Sequence, residues 1–196
     1  MSITSETRQS LLDRARMRDE LAWTELVDLY SPLIMRWCQR SGIGPESTAD
    51  CIQEVFSAVA RSLDTYHAPG SNGAFRGWLW TITRNKLRDA GRRNVRQVNA
   101  LGGSAGLNQL NEVAESLDFL TDEPSIAEDV HALTRRALIQ IQSSFSAQSW
   151  QAFWRSVVDG IPTEVVAQEL GLTSAAVRQI RSRIMRRLRE QLGDAT

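Results

Sequence analysis

Apolar residues recur at three- and four-residue intervals over most of this chain, and no stretch alternates apolar and polar residues as a half-buried strand does. An all-α fold is therefore predicted. In the first half, capping residues, prolines and glycines divide the pattern into four helices: Asp19 to about Tyr30, Ser31-Pro32 to near Gly42, Pro45 to about Leu63, and Phe75 to about Arg93.

The pattern fades between residues 95 and 125 and returns after Pro124. This interval contains three glycines and most of an acidic block, a composition typical of a linker. A chain of 196 residues is long enough for one mid-sized domain or two small ones. We therefore predict two small helical domains, 1–94 and 126–196, joined by a flexible acidic linker over 95–125.

Charge is segregated along the chain although its 23 basic and 23 acidic side chains balance. Residues 84–96 carry six basic side chains against one acid, and residues 178–189 carry six arginines and no acid. Between them, residues 112–129 carry seven acids and no base. Dense basic clusters are typical of proteins that neutralise nucleic-acid phosphate, although a basic run is as often a solvated helix face.

The stretch PTEVVAQELGLTSAAVRQIRSRIMRRLRE predicts two helices joined by a tight turn. Gly171 stands where a left-handed residue would end the first helix, and Thr173 is a good N-cap for the second. Val177, Ile180, Ile184 and Leu188 form its apolar stripe, with arginines rotated away from it. This pattern is typical of a helix-turn-helix that places its second helix in the major groove. The alternative is a helical hairpin with a charged surface.

The predicted helix after Pro45 has two different faces. At 100° per residue, Glu46, Asp50, Gln53, Glu54 and Ser57 fall on one side, and the apolar residues fall on the other. A carboxylate face repels phosphate, so if it has a function it addresses a basic protein surface. Otherwise it is simply solvated.

The predicted helix after Phe75 has a basic outer face, formed by Arg84, Asn85, Arg88 and Arg92. Asn and Arg are side chains that read base edges or hold phosphates from a helix. The preceding loop offers Tyr66 and Asn72 among glycines, a setting in which an unstacked base could be held. A plain connecting loop is the competing interpretation.

Other classes of protein are poorly supported by the sequence. The chain has two histidines and two cysteines, Cys38 and Cys51, without metal-ligand spacing, so we expect buried free thiols and neither a metal nor a cofactor. No phosphate loop, HExxH motif or nucleophile with a nearby base is present, and we expect no enzyme activity. No apolar run is long enough to insert in a membrane, and we expect a cytoplasmic protein.

Taken together, three stretches resemble a bacterial RNA polymerase sigma factor of the extracytoplasmic-function (ECF) type. TADCIQEVFSAVARSL is similar to that family's core-polymerase-binding helix, FRGWLWTITRNKLRDAGRR to its helix for the minus-ten promoter element, and the PTEVVAQELG stretch to its reader of the minus-thirty-five element. The resemblance covers most of the chain. It implies promoter-specific transcription initiation, with core RNA polymerase, double-stranded promoter DNA and the non-template single strand as partners, and it allows an anti-sigma factor as a further partner.

The resemblance also implies roles for individual residues. For polymerase binding these are Asp50, Gln53, Glu54 and Phe56. For the minus-ten element they are Tyr66, Asn72, Arg84, Asn85, Arg88 and Arg92, with the Tyr66 to Gly73 loop capturing a flipped base. For the minus-thirty-five element they are Thr173, Ser174, Arg178, Arg181 and Ser182.

A free-standing helix-turn-helix regulator is the alternative function. It accounts for the second basic block but leaves the acidic face around Asp50 unexplained.

Overall fold

The computed structural model describes residues 10–67, 74–100 and 127–193, and these ranges contain eight α-helices, one 3₁₀ turn and no strand. The predicted all-α fold is confirmed. The helices are α1 (Leu11–Arg16), α2 (Glu20–Arg40), α3 (Pro45–Ser62), α4 (Ala74–Ala100), α5 (Ala127–Gln142), α6 (Ala147–Val157), α7 (Thr163–Glu169) and α8 (Ser174–Gln191), with a 3₁₀ turn at Leu63–Thr65.

Several helices begin at a polar side chain that accepts backbone hydrogen bonds. Asp19 Oδ1 accepts from Leu21 N at 2.9 Å at the start of α2, and Thr173 Oγ1 accepts from Ala176 N at 3.1 Å at the start of α8. Each cap satisfies a backbone N–H that the helix leaves without a partner. Asp19 and Thr173 are therefore N-caps, as predicted.

One predicted helix break is wrong. Ser31 and Pro32 lie inside α2, which runs without interruption from Glu20 to Arg40. Proline lacks the N–H that the helix uses and costs about 3 kcal/mol in a helix interior. The helix continues because residues on both sides of the proline, among them Tyr30 and Leu33, are buried in one core.

The helix predicted to end near Arg93 is longer than expected, because α4 extends to Ala100 and so enters the segment predicted as linker. The remainder of that segment, including the short helical turns predicted around residues 113–120, lies outside the described residues. Helix α1 was not predicted from sequence, since its six residues are too few to show a period.

The main core is rich in aromatic side chains. Trp37 and Phe75 are fully buried, and Tyr30 meets Phe75 edge to face at 5.1 Å between ring centroids. At 100° per residue, Trp80 falls off the apolar side of its helix, and the sequence predicts a surface or interface residue there. It is instead 3% exposed and meets Trp37 edge to face at 5.3 Å. That expectation is wrong because α4 is covered by two neighbours, α2 and α3, and so buries a broader stripe than one partner would require.

The described residues of the two predicted domains share this core. Leu133, Ile141, Ile184 and Leu188 of the second half belong to the same buried cluster as the residues of α1 to α4. The predicted division into domains stays a prediction. Its two parts are packed against each other in this structure, chiefly through α2 with α5 and α1 with α8.

Candidate protein and nucleic-acid interfaces

The exposed side of α3 carries the acidic residues that the helical period placed there. Asp50 and Gln53 are exposed, whereas Val55 and Val59 on the opposite side are fully buried. Phe56 is half-buried, and it packs against the core while keeping part of its ring at the surface. The described part of α3 therefore presents an acidic, amide-bearing surface with an apolar edge. We call it the acidic face.

Glu54 differs from Asp50 in being half-buried. Its Oε2 lies 3.5 Å from Nζ of Lys86 on α4, and this ion pair joins the acidic face to the neighbouring helix. An ion pair at the rim thus adds to the apolar contacts between α3 and α4.

The outer side of α4 carries a basic surface, which we call the basic face. Asn85 and Arg92 are exposed, and Arg84 and Arg88 are half-buried. On the opposite side, Leu79 and Leu87 are fully buried, in agreement with the predicted division of this helix. The acidic and basic faces therefore lie on two helices packed against each other in one compact unit.

The loop between α3 and α4 is described only in part. Tyr66 is 6% exposed, and its ring packs on Phe75 at 5.6 Å and on Trp78 at 4.6 Å between centroids. The ring is therefore a core element here, and stacking it on a base would require it to leave these contacts. Asn72 lies outside the described residues.

Helices α7 and α8 are joined by a four-residue turn, 170–173. Gly171 has φ +63°, the left-handed conformation predicted for it, and Leu172 packs into a small cluster with Val166 and Val177. Of the residues predicted to meet DNA, Thr173, Arg178 and Ser182 are exposed, and Ser174 is half-buried at the first turn of α8.

Arg181 lies between these two helices. It is half-buried, and its Nη1 donates to Oγ1 of Thr163 on α7 at 3.4 Å. One hydrogen bond thus connects an arginine of the exposed surface of α8 to the start of α7, and this contact helps to fix the angle between the helices.

A second exposed surface was missed by the sequence analysis. Apolar neighbours at helical spacing predict a core position for Trp154, but it is 39% exposed, and Val158 is 50% exposed. Trp154 borders an open groove of about 580 Å³ between the end of α5 and α6, with Phe145 and Trp150 on its wall. Helical spacing shows which residues share a side of a helix, but it does not show which other helices cover that side. In the described part of the chain, no helix covers the side of α6 that carries Trp154.

The two cysteines are buried and free, as predicted. A hydrogen bond between the Cys38 and Cys51 side chains and burial raise the pKa of the Cys38 thiol above its usual range. Among the described residues, no three His, Cys, Asp or Glu side chains gather as metal ligands do.

Comparison with known proteins gives a consistent result. Residues 26–97 match the model of the family Sigma-70 region 2. The chain is 24% identical over 190 residues to the ECF RNA polymerase sigma factor BldN of Streptomyces coelicolor, with 97% of this chain and 67% of BldN covered. It is 26% identical over 207 residues to SigD of Mycobacterium bovis, with 98% and 87% covered, and 29% identical over 171 residues to CnrH of Cupriavidus metallidurans, with 85% and 84% covered.

The region 2 match spans α3 and α4, so it contains both the acidic face and the basic face. Together with relatives that align over nearly the whole length, it identifies the class. The chain belongs to the ECF sigma factors of RNA polymerase. None of the helices in the described ranges has both the length and the apolar character needed to cross a bilayer.

Proposed function

We propose that this chain binds core RNA polymerase and directs transcription initiation at promoters with matching minus-ten and minus-thirty-five elements. The observation that carries the proposal is the pair of opposed faces on α3 and α4, within the segment that matches Sigma-70 region 2. One face can attract a basic protein surface while the other attracts DNA phosphate, so a single unit can join the enzyme to its template.

The acidic face is the proposed polymerase contact, through Asp50, Gln53 and Glu54 with Phe56 at its edge. Because Asp50 is exposed, reversing its charge should weaken the interface without disturbing the fold. Glu54 is a poorer site for such a test, since its reversal would also break the ion pair with Lys86.

We expect Asp50→Lys to lower affinity for core polymerase by about tenfold or more, because a like-charge contact replaces a favourable one. Asp28→Lys, at an exposed carboxylate of α2, is the matched control and should bind normally. Equal binding by both variants, with unchanged circular dichroism, would refute the assignment of the acidic face.

The basic face is the proposed contact with the minus-ten element. We assign Asn85 and Arg88 to base edges and Arg84 and Arg92 to phosphates, following the usual division between specifying and positioning contacts. The exposure of Asn85 and Arg92 on the outer side of α4 supports this assignment. We keep Asn72 as a proposed base contact of the loop after α3. Tyr66 is proposed to support that loop from the core, given its packing on Trp78.

Helices α7 and α8 are the proposed helix-turn-helix for the minus-thirty-five element. The N-terminal part of a recognition helix is the part that reaches base edges, which favours Thr173, Ser174, Arg178, Arg181 and Ser182 over later residues of α8.

An arginine pair on α8 tests this assignment. Arg178→Ala in the holoenzyme should lose about 1–3 kcal/mol of promoter discrimination if its side chain reads a base. Arg186→Ala removes the same charge from the later part of the helix, where the side chain is 73% exposed, and should lose little discrimination. If the two variants behave alike across promoter sequences, α8 binds phosphate without reading sequence.

The two DNA contacts would act together through avidity. Core polymerase would hold the two halves at a fixed separation, so binding at one element raises the effective concentration of the other half at its own element. We propose that the isolated chain binds promoter DNA weakly for this reason. Tight sequence-specific binding without polymerase, in a mobility-shift titration, would contradict this.

The free-standing regulator is the weaker candidate, because it gives no role to the segment that matches Sigma-70 region 2. Promoter binding as a dimer on palindromic sites, without polymerase, would favour it. We further propose that the chain acts in the cytoplasm as a binding protein without an active site or cofactor, and that an anti-sigma factor is a further candidate partner.

A further inference from the structure

Two polar side chains of α6 contact the end of α7, where the turn of the helix-turn-helix begins. Gln148 Nε2 donates to the backbone carbonyl of Leu170, the first residue of the turn, at 2.9 Å. Seven residues later on α6, Arg155 forms an ion pair with Glu169, the last residue of α7. Because residues seven positions apart lie on the same side of a helix, one side of α6 contacts the end of α7 at two adjacent residues.

The start of α7 is held by different contacts. In the connection from α6, the backbone N–H of Ile161 donates to the carbonyl of Arg155 at 2.9 Å. On the other side, Nη1 of Arg181 on α8 donates to Oγ1 of Thr163 at 3.4 Å. Both ends of α7 are therefore tied by polar contacts, its start to α6 and α8 and its end to α6.

The apolar cluster beneath this helix pair is made of small side chains. Its buried members are alanines and valines: Ala152, Val166, Ala167 and Val177. Small side chains make few interlocking contacts, so such a cluster constrains the angle between two helices only weakly. Hydrogen bonds and ion pairs lose strength when their geometry changes, and the contacts from α6 therefore add a directional constraint that the cluster lacks.

The position of the turn determines where α8 begins. Thr173 caps α8 only three residues after Leu170, so a shift at Leu170 carries directly into the first turn of α8. A side chain that reads a base edge must be placed within about 0.5 Å of its productive position. Contacts that hold Leu170 and Glu169 can therefore affect base reading from a distance.

We propose that Gln148 and Arg155 are positioning residues for the reader of the minus-thirty-five element. They hold the end of α7 and the turn, so that the first part of α8 meets the major groove at one fixed angle. Promoter discrimination would then depend on two residues that lie outside the helix-turn-helix and act without contacting a base. This inference rests on the function proposed above for α7 and α8.

A role in positioning differs measurably from a role in stability. The Arg155 and Glu169 side chains are 27% and 44% exposed, and Gln148 is exposed as well. Polar contacts at such solvated positions add little to the stability of a fold. Their loss should leave the chain folded and should change mainly the ability of α8 to distinguish one sequence from another.

The hydrogen bond and the ion pair can be removed separately. Gln148→Met keeps the length of the side chain and removes the donor, and Gln151→Met, at an exposed glutamine one turn later on α6, is its matched control. Arg155→Glu and Glu169→Arg each bring like charges together. The double variant Arg155→Glu with Glu169→Arg restores an ion pair of reversed direction and keeps the net charge of the wild type.

The quantity to measure is a ratio of two affinities of the holoenzyme. One is for a promoter that it selects, and the other is for the same promoter with an altered minus-thirty-five element. A uniform change in the attraction to phosphate cancels in this ratio. We expect Gln148→Met, Arg155→Glu and Glu169→Arg each to lower the ratio by about 2- to 5-fold, the double charge variant to restore most of it, and Gln151→Met to leave it unchanged.

Urea unfolding and circular dichroism of the same variants separate positioning from stability. Suppose that Gln148→Met and Arg155→Glu fold and keep the wild-type ratio while Arg178→Ala loses it. The positioning role is then wrong, and the proposed function stands. A lower free energy of unfolding with an unchanged ratio would likewise overturn the positioning role. If the wild-type holoenzyme does not distinguish the two promoters, the function proposed for α8 fails and the positioning role fails with it.

Discussion

The two halves of the molecule bury their apolar residues in different ways. In the first half, α1 to α4 surround large side chains such as Trp37, Tyr30 and Phe75. In the second half, the cluster beneath α7 and the start of α8 has only alanine and valine as its buried members: Ala152, Val166, Ala167 and Val177. The remaining buried residues of α5 and α8, such as Ile141 and Leu188, pack into the core of the first half.

This difference indicates how stability and binding are divided. The first half supplies a large core that can hold the acidic and basic faces in fixed positions. The helix pair of the second half relies on a small cluster, a capped helix start and a left-handed glycine. The cap and the turn therefore contribute a larger share of the stability of this pair. The contacts between the halves let the second half share the larger core.

The largest expected effect is in the aromatic core. Trp37→Ala should destabilise the fold by about 3–5 kcal/mol, because it leaves a cavity where a fully buried ring meets Trp80. Trp154→Ala, at a ring that is 39% exposed, should cost only about 1–2 kcal/mol. Urea unfolding followed by circular dichroism measures both. If both substitutions lower the free energy of unfolding equally, the aromatic core of the first half contributes no more to stability than the exposed side of α6.

The next effect concerns the ion cluster between α2 and α5, in which Asp129 pairs with Arg36 and Arg40. Asp129→Asn should cost about 2 kcal/mol, because it leaves two arginines without their carboxylate, and their side chains are one-third exposed and partly solvated. The same unfolding experiment measures it, with Asp28→Asn, at an exposed carboxylate, as control. A cost no larger than that of the control would show that the ion cluster does not stabilise the contact between the halves.

Acid should weaken the contact between the halves through the same carboxylate. Burial alone would raise the pKa of Asp129, but hydrogen bonds from Arg40 and Arg36 outweigh it and hold the pKa below the ordinary value of 3.8. Its stabilisation is therefore fully present above pH 3.8 and is lost as the pH falls through the lowered pKa. The facing groups on α2 are arginines, which stay charged throughout this range.

The measurement for this effect is the radius of gyration as a function of pH. The radius of gyration of the wild type should increase in acid. Asp129→Asn should lack the part of this increase that protonation of Asp129 causes. The pKa of Asp19 is also lowered, chiefly by the hydrogen bond from Ala22 N–H, so the start of α2 should weaken in acid too. The weakening at Asp19 occurs in the wild type and in Asp129→Asn alike. If the radius of gyration of the two proteins depends on pH in the same way, Asp129 is not the group that causes the expansion.

The smallest effect is at the start of α8. Thr173→Ala removes the cap that accepts from Ala176 N and should cost about 1 kcal/mol. It should also weaken promoter binding by the holoenzyme, since Thr173 lies in the part of α8 proposed to face DNA. Thr173→Ser keeps the capping oxygen and should restore stability. If the serine variant is as unstable as the alanine variant, the hydroxyl does not act as a cap.

Local signals made much of this fold predictable. Four residues begin or end a helix as their residue type favours, through contacts with neighbouring backbone alone: Asp19, Pro45, Gly171 and Thr173. The acidic and basic faces were likewise predictable, because a helix of known period divides its residues between core and surface.

The errors arise where tertiary packing outweighs local preference. Pro32 favours a helix start, but burial of residues on both sides of it keeps α2 continuous. The positions of Trp80 and Trp154 depend on which helices cover them, which no local pattern encodes. The ion cluster joins Asp129 to residues 89 and 93 positions earlier in the chain, so nothing in the acidic block singles it out.

Run-off transcription by a reconstituted holoenzyme decides whether this chain acts as a sigma factor. The purified chain is combined with core RNA polymerase and assayed by run-off transcription on genomic fragments. We expect transcripts that start at a limited set of promoters, that require both components, and that disappear with Asp50→Lys but not with Asp28→Lys. Failure of the wild-type chain to join core polymerase or to direct any specific transcript would contradict it.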